Sequence, residues 1–285
     1  MGRLNPPFAP FSVRKLYVDA VDERGTLWIF YFAELRLGFL RQRLAGAETY
    51  PCAGGASCRR AVGDPDWPAI EPGDRLLSFR MQLEDGPLEF SAVSLLPPWT
   101  PGGPELPLPI RWQVVAPRLD ARLRLPGSAA PLRAAGYCDF VEIRGLPRWL
   151  GLRRVEWGRV HGADQTFVFT SIARRGGAPW RRAALLQANH APVEASAFAL
   201  DESADGARLH LENWPGPADF TLGNESVLRD GDTMDERRFP APGERLFYRW
   251  VTGAARERRW TGSARLGRTP CASARAAVHE SVDFR

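Results

Sequence analysis

Hydrophobic and polar residues alternate along most of this chain, in short runs that end at glycine, proline or aspartate. The run VRKLYVDAVD is followed by an ERG turn and then by the strongly apolar run LWIFYFAEL. Alternation with a period of two is typical of β-strands with one buried face, and a tight turn between two such runs predicts a β-hairpin. A second hairpin is predicted where EDGP separates RLLSFRMQL from LEFSAVSLL.

The same pattern continues to the end of the sequence. IRWQVVAPRLDARLRLPG predicts two further strands, whereas residues 51–73 have little periodicity and predict a long surface loop. The candidate helix WRRAALLQANHAP lacks an N-cap residue and is predicted to be a strand. Many short strands joined by turns indicate an all-β fold of barrels or sandwiches. We predict two barrel-like domains, one over residues 1–130 and one over residues 131–285.

Composition and charge narrow the classes of function. The 285 residues carry a formal net charge of +5, and Lys15 is the one lysine among 38 basic residues. The arginines are scattered and no nucleic-acid-binding motif is present, so we predict no nucleic-acid partner. There is no signal-peptide pattern and no apolar run of membrane-spanning length, which predicts a soluble, cytoplasmic protein.

The sequence also lacks the motifs of several enzyme classes. It contains no GxSxG, HExxH, Walker or GxGxxG motif, and its four cysteines form no CxxC pair. We therefore predict no metal site. Cys52 and Cys58, in CAGGASC, are either a disulfide or two free loop thiols, and free thiols are favoured.

Candidate chemistry is concentrated in GYCDFVEI, residues 136–143. Alternation places Tyr137, Asp139 and Val141 on one face of a strand and Glu142 on the other. If the Tyr137 face is enclosed, burial would keep the Asp139 carboxyl group protonated near neutral pH, and it could act as a general acid. The alternative is an aspartate hydrogen-bonded to the backbone at the end of a strand.

Aromatic residues and a histidine occupy neighbouring strands. In RVEWGRVHG, Trp157 and His161 share a face, so His161 either orients or relays a proton beside an aromatic wall or is a structural hydrogen-bonding residue. Trp28, Phe30 and Phe169 also lie in predicted strands. Aromatic side chains inside a barrel either fill the core or line a cavity for an apolar ligand.

These segments together resemble a known superfamily. GYCDFVEI, VEWGRVHGADQTFVFTSIAR, RRWTGSARLG and AAVHESVDF are similar to segments of the tandem-lipocalin superfamily that contains hydroxyneurosporene synthase (carotenoid 1,2-hydratase), tocopherol cyclase and AttH-type proteins. Its central pattern, Gly-x-Gly-Tyr-x-Asp-x-x-Trp followed by a Trp-rich strand, is matched by Gly136, Tyr137, Asp139, Trp157 and Gly158. The chain departs from the pattern at Ala134 and Glu142.

The resemblance implies two lipocalin-like (calycin-like) β-barrels in tandem, with a ligand cavity at or near their junction. It also implies an enzyme without a cofactor, in which a buried carboxylic acid protonates an isoprenoid-like alkene that is then hydrated or cyclised. On this reading Asp139 is the acid and His161 orients or relays the proton. The substrate would be bound by Tyr137, Trp157, Glu142, Phe169, Trp28 and Phe30.

A second function fits the same fold. A carrier or chaperone of a lipophilic small molecule would have the same cavity and no chemistry. In either case the partner is a lipophilic small molecule, and uptake of such a molecule could involve transient contact with a membrane.

Overall fold

A computed structural model describes most of the chain. The described residues are 11–52, 54–71, 75–102, 108–146, 149–162, 164–195, 198–203, 206–211, 219–223, 226–233, 235, 242–243, 245–246, 249, 253–266, 269–270 and 277–284. Antiparallel β-strands dominate them, which confirms the predicted all-β class.

The first nine strands form one antiparallel sheet, here called the first unit. Their bounds are β1 Phe11–Asp22, β2 Leu27–Leu37, β3 Leu40–Tyr50, β4 Ser57–Arg60, β5 Ala69–Glu71, β6 Leu76–Leu83, β7 Gly86–Ser94, β8 Ile110–Arg124 and β9 Leu132–Arg144. The order across the sheet is β4-β3-β2-β1-β9-β8-β7-β6-β5. The hairpins β1–β2 and β6–β7 confirm the two predicted turns.

The remaining strands form two sheets, here called the second unit. Their bounds are β10 Leu152–His161, β11 Gln165–Arg174, β12 Trp180–Gln187, β13 Val193–Ala195, β14 Phe198–Ser203, β15 Gly206–Leu211, β16 Asp219–Gly223, β17 Ser226–Asp232, β18 Ala255–Gly262, β19 Ala264–Leu266, β20 Thr269–Pro270 and β21 Ala277–Phe284. One sheet has the order β13-β12-β11-β10-β21-β18-β17 and the other β14-β15-β16-β19-β20. The segment once considered as a helix is strand β12, as predicted.

The structure corrects two local predictions in the first unit. IRWQVVAPRLDARLRL is one strand, β8, and not two, because Pro117 falls where the register shifts between Ala116 and Leu119 and a bulge accommodates its missing N–H. The predicted loop at 51–73 contains two short strands, β4 and β5.

GYCDFVEI and RVEWGRVHG, at residues 136–162, also predict a hairpin, but the two strands do not pair with each other. β9 pairs with β1 and β8, whereas β10 pairs with β11 and β21. Sheet membership therefore changes between Arg144 and Leu152. The division into domains at residue 130 stays a prediction, because strand pairing does not by itself define independent folding. The run RLFYRWVTG, residues 245–253, also predicts a strand, but it lies mostly outside the described residues.

Each unit has its own apolar core, and a third cluster lies between them. In the first unit, Phe30, Phe79 and Phe90 pack with their ring centroids 4.8–5.5 Å apart. In the second, Phe169 packs on Phe198. Alternation along each strand gives the nine-stranded and seven-stranded sheets a second face, and these two faces meet at the junction of the two units.

Candidate functional site

A cavity of about 300 Å³ lies at the junction of the two units. The first unit contributes residues of β1, β2, β3, β8 and β9 to its wall, and the second contributes residues of β10, β11, β18 and β21. The lining residues are Val13, Lys15, Tyr17, Ile29, Tyr31, Ala33, Leu44, Ile110, Trp112, Asp139, Val141, Ile143, Val155, Trp157, Thr170, Ile172, Thr233, Ala255, Glu257, Arg259, Glu280, Val282 and Phe284.

The cavity has a buried polar end and a more open apolar end. We call the buried residues Tyr17, Asp139, Trp157, Arg259 and Glu280 the floor. We call the partly exposed Val13, Ile143, Val282 and Phe284 the rim. Rim and floor residues that share a strand lie two or four positions apart. Period-two alternation therefore directs the side chains of both to the same face of that strand, the face toward the cavity.

Strand pairing brings the first unit's share of the floor together. Tyr17 on β1 is the register partner of Asp139 on β9. The two strands approach closely at Gly136, where a Cβ atom would overlap the carbonyl oxygen of Asp19. Only glycine fits there without moving β1, which gives a physical reason for that residue in the GYCD motif.

Asp139 is held in a largely water-free setting by two donors on the same sheet. The indole N–H of Trp112 donates to Oδ2 at 3.2 Å, and the hydroxyl of Tyr137 donates to the same oxygen at 3.1 Å. Burial raises the pKa of Asp139 to about 7, against the lowering effect of Trp112, Lys15 and Tyr137. The carboxyl group can therefore carry a proton near neutral pH, with its other oxygen, Oδ1, free of hydrogen bonds from any described residue.

Aromatic rings surround this carboxyl group. The Trp157 ring lies 4.6 Å from the Tyr17 ring, edge to face, and stacks on Tyr137 at 6.0 Å. Trp157 comes from β10 of the second unit, so it covers Asp139 from the opposite side of the cavity. Such π faces attract a positive charge that develops above them.

The deep end of the cavity contains an arginine bound by three glutamates. The guanidinium of Arg259 contacts Glu257 at 2.6 Å, Glu280 at 2.7 Å and Glu48 at 2.6 Å. Glu48 belongs to β3 of the first unit and also accepts a hydrogen bond from the hydroxyl of Tyr50 at 2.7 Å. Arg259 is thus a buried charged link between the units.

A second buried ion pair joins the same two units. Nε of Arg159 on β10 lies 3.1 Å and 3.2 Å from the two carboxylate oxygens of Asp19 on β1, and both side chains are fully buried. Breaking such a pair leaves an uncompensated buried charge, so the pair fixes how the units meet.

Comparison with solved structures identifies this architecture. CghA, in a crystal structure with Sch210972, matches with a TM-score of 0.59 and 14% identity over 96% of this chain and 89% of that chain. The AttH-type protein NE1406 from Nitrosomonas europaea matches with a TM-score of 0.60 and 14% identity over 97% and 93%. Kievitone hydratase from Nectria haematococca matches with a TM-score of 0.60 and 11% identity over 95% and 88%.

The chain shares the fold of these structures, two lipocalin-like β-barrels in tandem. The prediction from the GYCD segment and its neighbours is confirmed at the level of the fold, and the predicted cavity at the junction of the barrels is present. No protein-family model matches the chain, and no curated protein sequence matches it.

Within the tandem lipocalin-like fold, three predicted site residues lie together. Asp139 and Trp157 line the cavity, and Tyr137, which is absent from the lining, contacts both: its hydroxyl donates to Asp139 and its ring stacks on Trp157.

His161 lies apart from the cavity lining. Its Nδ1 is 3.0 Å from the Thr166 hydroxyl. Burial, together with the charges of Arg159 and Arg118, holds its pKa well below the usual range. A neutral histidine outside the cavity does not contact a ligand there, and its predicted relay role has no path in the described contacts.

The other predicted binding residues lie on different faces. Trp28 and Phe30 belong to the core of the first unit, and Phe169 belongs to the core of the second. Glu142 faces away from Asp139, as alternation predicts, and pairs with Arg14 at 3.1 Å and Arg144 at 3.3 Å. These four residues are absent from the cavity lining, because the cavity lies between the barrels rather than inside one of them.

Several residues of the cavity wall carried no signal strong enough to single them out from the sequence. Trp112, Arg259 and Glu280 lie in strands of ordinary composition, and their meeting depends on pairing between distant strands. Tyr17 and Lys15 could have been found, since alternation along β1 places both on one face.

Other features of the described residues bear on partners. They include no helix long and apolar enough to cross a membrane. They also include no group of three or more His, Cys, Asp or Glu side chains arranged to hold a metal ion. Cys52 and Cys138 are free thiols, so no disulfide joins Cys52 to Cys58 in the CAGGASC loop.

Proposed function

We propose that this protein is an enzyme that hydrates or cyclises an isoprenoid-like alkene, with Asp139 as the general acid and no cofactor in the proton transfer. The observation that carries the proposal is a protonatable carboxyl group at the buried end of an apolar cavity, with one oxygen fixed by Trp112 and Tyr137. Protonation of carbon needs an acid that is neutral and little exposed to water. Asp139 meets both conditions, because it is buried and its pKa is raised.

The chemistry follows from the contacts. The proton on Asp139 Oδ1 passes to one carbon of the double bond, whose π electrons form the new C–H bond. The other carbon becomes a cation, next to the faces of Trp157 and Tyr17. The Asp139 carboxylate that remains keeps its hydrogen bonds from Trp112 and Tyr137, which lower the energy of the charged form.

The cation is then captured. In hydration, water adds to it and gives a proton back to the Asp139 carboxylate, so the net reaction is addition of water to the double bond. In cyclisation, a second double bond or a hydroxyl group of the same molecule adds to the cation and forms a ring. A proton is then lost to the Asp139 carboxylate, which regenerates the acid.

The similar structures support this class of reaction without deciding it. The name of kievitone hydratase states a hydration, and CghA was crystallised with the small molecule Sch210972. At 11–14% identity these neighbours support the fold, and the reaction comes to this chain as our proposal.

The test is turnover of a panel of acyclic polyenes and prenylated phenols by the wild type and by Asp139→Asn. Products are followed by mass spectrometry in H₂O and D₂O, because protonation at carbon leaves one non-exchangeable deuterium in the product. We expect Asp139→Asn to lose turnover by at least 100-fold, the scale of general acid catalysis, while it still binds the ligand.

Glu142→Gln is the matched control, since Glu142 lies on the same strand but faces away from the cavity. We expect it to keep turnover. Normal product formation by Asp139→Asn would show that Asp139 is not the acid. Tight binding of panel members without conversion of any would instead support the carrier function.

A further inference from the structure

The chain uses arginine at every basic position except one, and the exception faces the cavity. Lys15 is the sole lysine among 38 Lys and Arg residues, and it lines the junction cavity. It lies on β1 between Val13 of the rim and Tyr17 of the floor, so alternation directs all three side chains to the same face.

The strands next to Lys15 offer its ammonium no ion pair. The register partners of Lys15 are Ala33 on β2 and Val141 on β9, both apolar and both in the cavity wall. Among the described residues its Nζ makes no ion pair and no hydrogen bond, and the ring of Tyr17 lies 5.9 Å away.

The nearest acidic residues in sequence on those partner strands are occupied elsewhere. Glu34 follows Ala33 but lies on the other face of β2, where it pairs with Arg36, Arg41 and Arg43. Glu142 follows Val141 and pairs with Arg14 on the other face of β9. Both of these carboxylates are thus paired with arginines. The charge of Lys15 also acts on Asp139, but that carboxyl group is neutral while it carries its proton, so below about pH 7 the ammonium can pair with an anion that enters the cavity.

We propose that Lys15 is a specificity residue that binds an oxyanion of the ligand, such as a carboxylate or an enolate. A cation against apolar walls favours a ligand with one anionic oxygen and an apolar body, because the charge-assisted bond forms with little competing water. This deepens the proposed function by naming a substrate class, acidic amphiphiles, and rests on it only in taking the junction cavity as the ligand site.

The position of Lys15 also sets the orientation of the ligand. An oxyanion held halfway between rim and floor would leave the carbon skeleton to extend either toward Asp139 or toward the open rim. Only the first arrangement brings a double bond to the acid. Lys15 would therefore select ligands whose reactive double bond is a few bonds from the acidic group.

Binding of geranate and of geraniol tests the proposal. These C10 isoprenoids differ in bearing a carboxylate or a neutral hydroxyl group, and calorimetry at pH 6, where geranate is ionised and Asp139 is mostly protonated, gives both affinities. We expect the wild type to bind geranate at least tenfold more tightly than geraniol, and Lys15→Met to lose that preference. Lys15→Arg, which keeps the charge, should retain a preference for the acid.

A second measurement uses the unmodified sequence. Reductive methylation with ¹³C-formaldehyde labels Lys15 as the one side-chain amine, and its NMR signal is separated from that of the α-amino group by comparison with Lys15→Met. We expect geranate, and not geraniol, to shift the Lys15 signal.

Equal affinity of the wild type for acid and alcohol, or no binding of either, would overturn the proposal, as would full acid preference in Lys15→Met. Asp139→Asn should keep the preference for geranate. If Asp139 proves not to be the acid, the preference for geranate is unaffected. The two proposals can therefore be refuted independently.

Discussion

The protonation state of Asp139 can be measured through folding stability, without any substrate. The pKa of this carboxyl group is raised from the ordinary 3.8 to about 7 by burial. Between these two values the folded protein holds the proton while the unfolded chain releases it. Rising pH therefore favours unfolding across this window, and the stability that the protonated group contributes is lost as pH approaches 7.

The expected size follows from the shift. About three pKa units correspond to about 4 kcal/mol when the group titrates completely, and about 3 kcal/mol of this falls between pH 4.5 and pH 8. Asparagine cannot ionise, so Asp139→Asn loses this dependence. We expect the free energy of unfolding of Asp139→Asn, minus that of the wild type, to rise by about 3 kcal/mol from pH 4.5 to pH 8.

Urea denaturation of both proteins at both pH values gives this difference in the free energy of unfolding. Subtracting the wild-type value removes the contributions of the other titrating groups, which the two proteins share. Glu142→Gln is the control with the opposite sign. Burial alone would raise the pKa of Glu142, but hydrogen bonds from Arg14 and Arg144 lower it overall, so its contribution is lost as pH falls. A difference for Asp139→Asn that is the same at pH 4.5 and pH 8 would mean that Asp139 titrates as an exposed aspartate, and the general-acid proposal would fall with it.

Three further predictions test the site and its surroundings. Once a substrate that the enzyme converts is known, its turnover rate should fall about tenfold per pH unit above about pH 7, because Asp139 loses its proton. A pH–rate profile checks this. Arg159→Met should destabilise the protein by about 3–5 kcal/mol by leaving Asp19 buried and unpaired, and Asp19→Asn in the same chain should recover part of the loss in thermal unfolding. Phe30→Ala should cost about 3–5 kcal/mol of stability with little change in ligand affinity, whereas Trp157→Ala should weaken binding, since only Trp157 lines the cavity.

Local features of the fold were readable from the sequence because they depend on near neighbours. The alternation in VRKLYVDAVD and LWIFYFAEL predicted β1 and β2, and the turn between them set their register. The same rule placed Tyr137 and Asp139 on one face and Glu142 on the other, as the structure has them.

The location of the ligand space could not be read in this way. Alternation says which residues share a face but not whether that face points into a barrel or outward to a second one. The prediction that Trp28 and Phe30 bind substrate assumed that their face points into a ligand-binding barrel. In the structure both side chains pack in the core of the first unit. The cavity uses the outward faces, which become an interior only when the second unit covers them.

The raised pKa of Asp139 therefore depends on both units. β9 of the first unit supplies the carboxyl group, while Trp157 and Glu280 of the second unit close the cavity over it. Burial is the main cause of the raised pKa, and the charge of Glu280 adds to it.

That charge can be buried only because Arg259 pairs with it at 2.7 Å, and Arg259 also holds Glu48 of the first unit at 2.6 Å. The contacts that join the units thus also position the carboxylate whose charge adds to the effect of burial on the pKa of Asp139. An uncovered first unit would expose Asp139 to water and return its pKa toward the ordinary value, so the chemistry proposed for this site requires two barrels in contact.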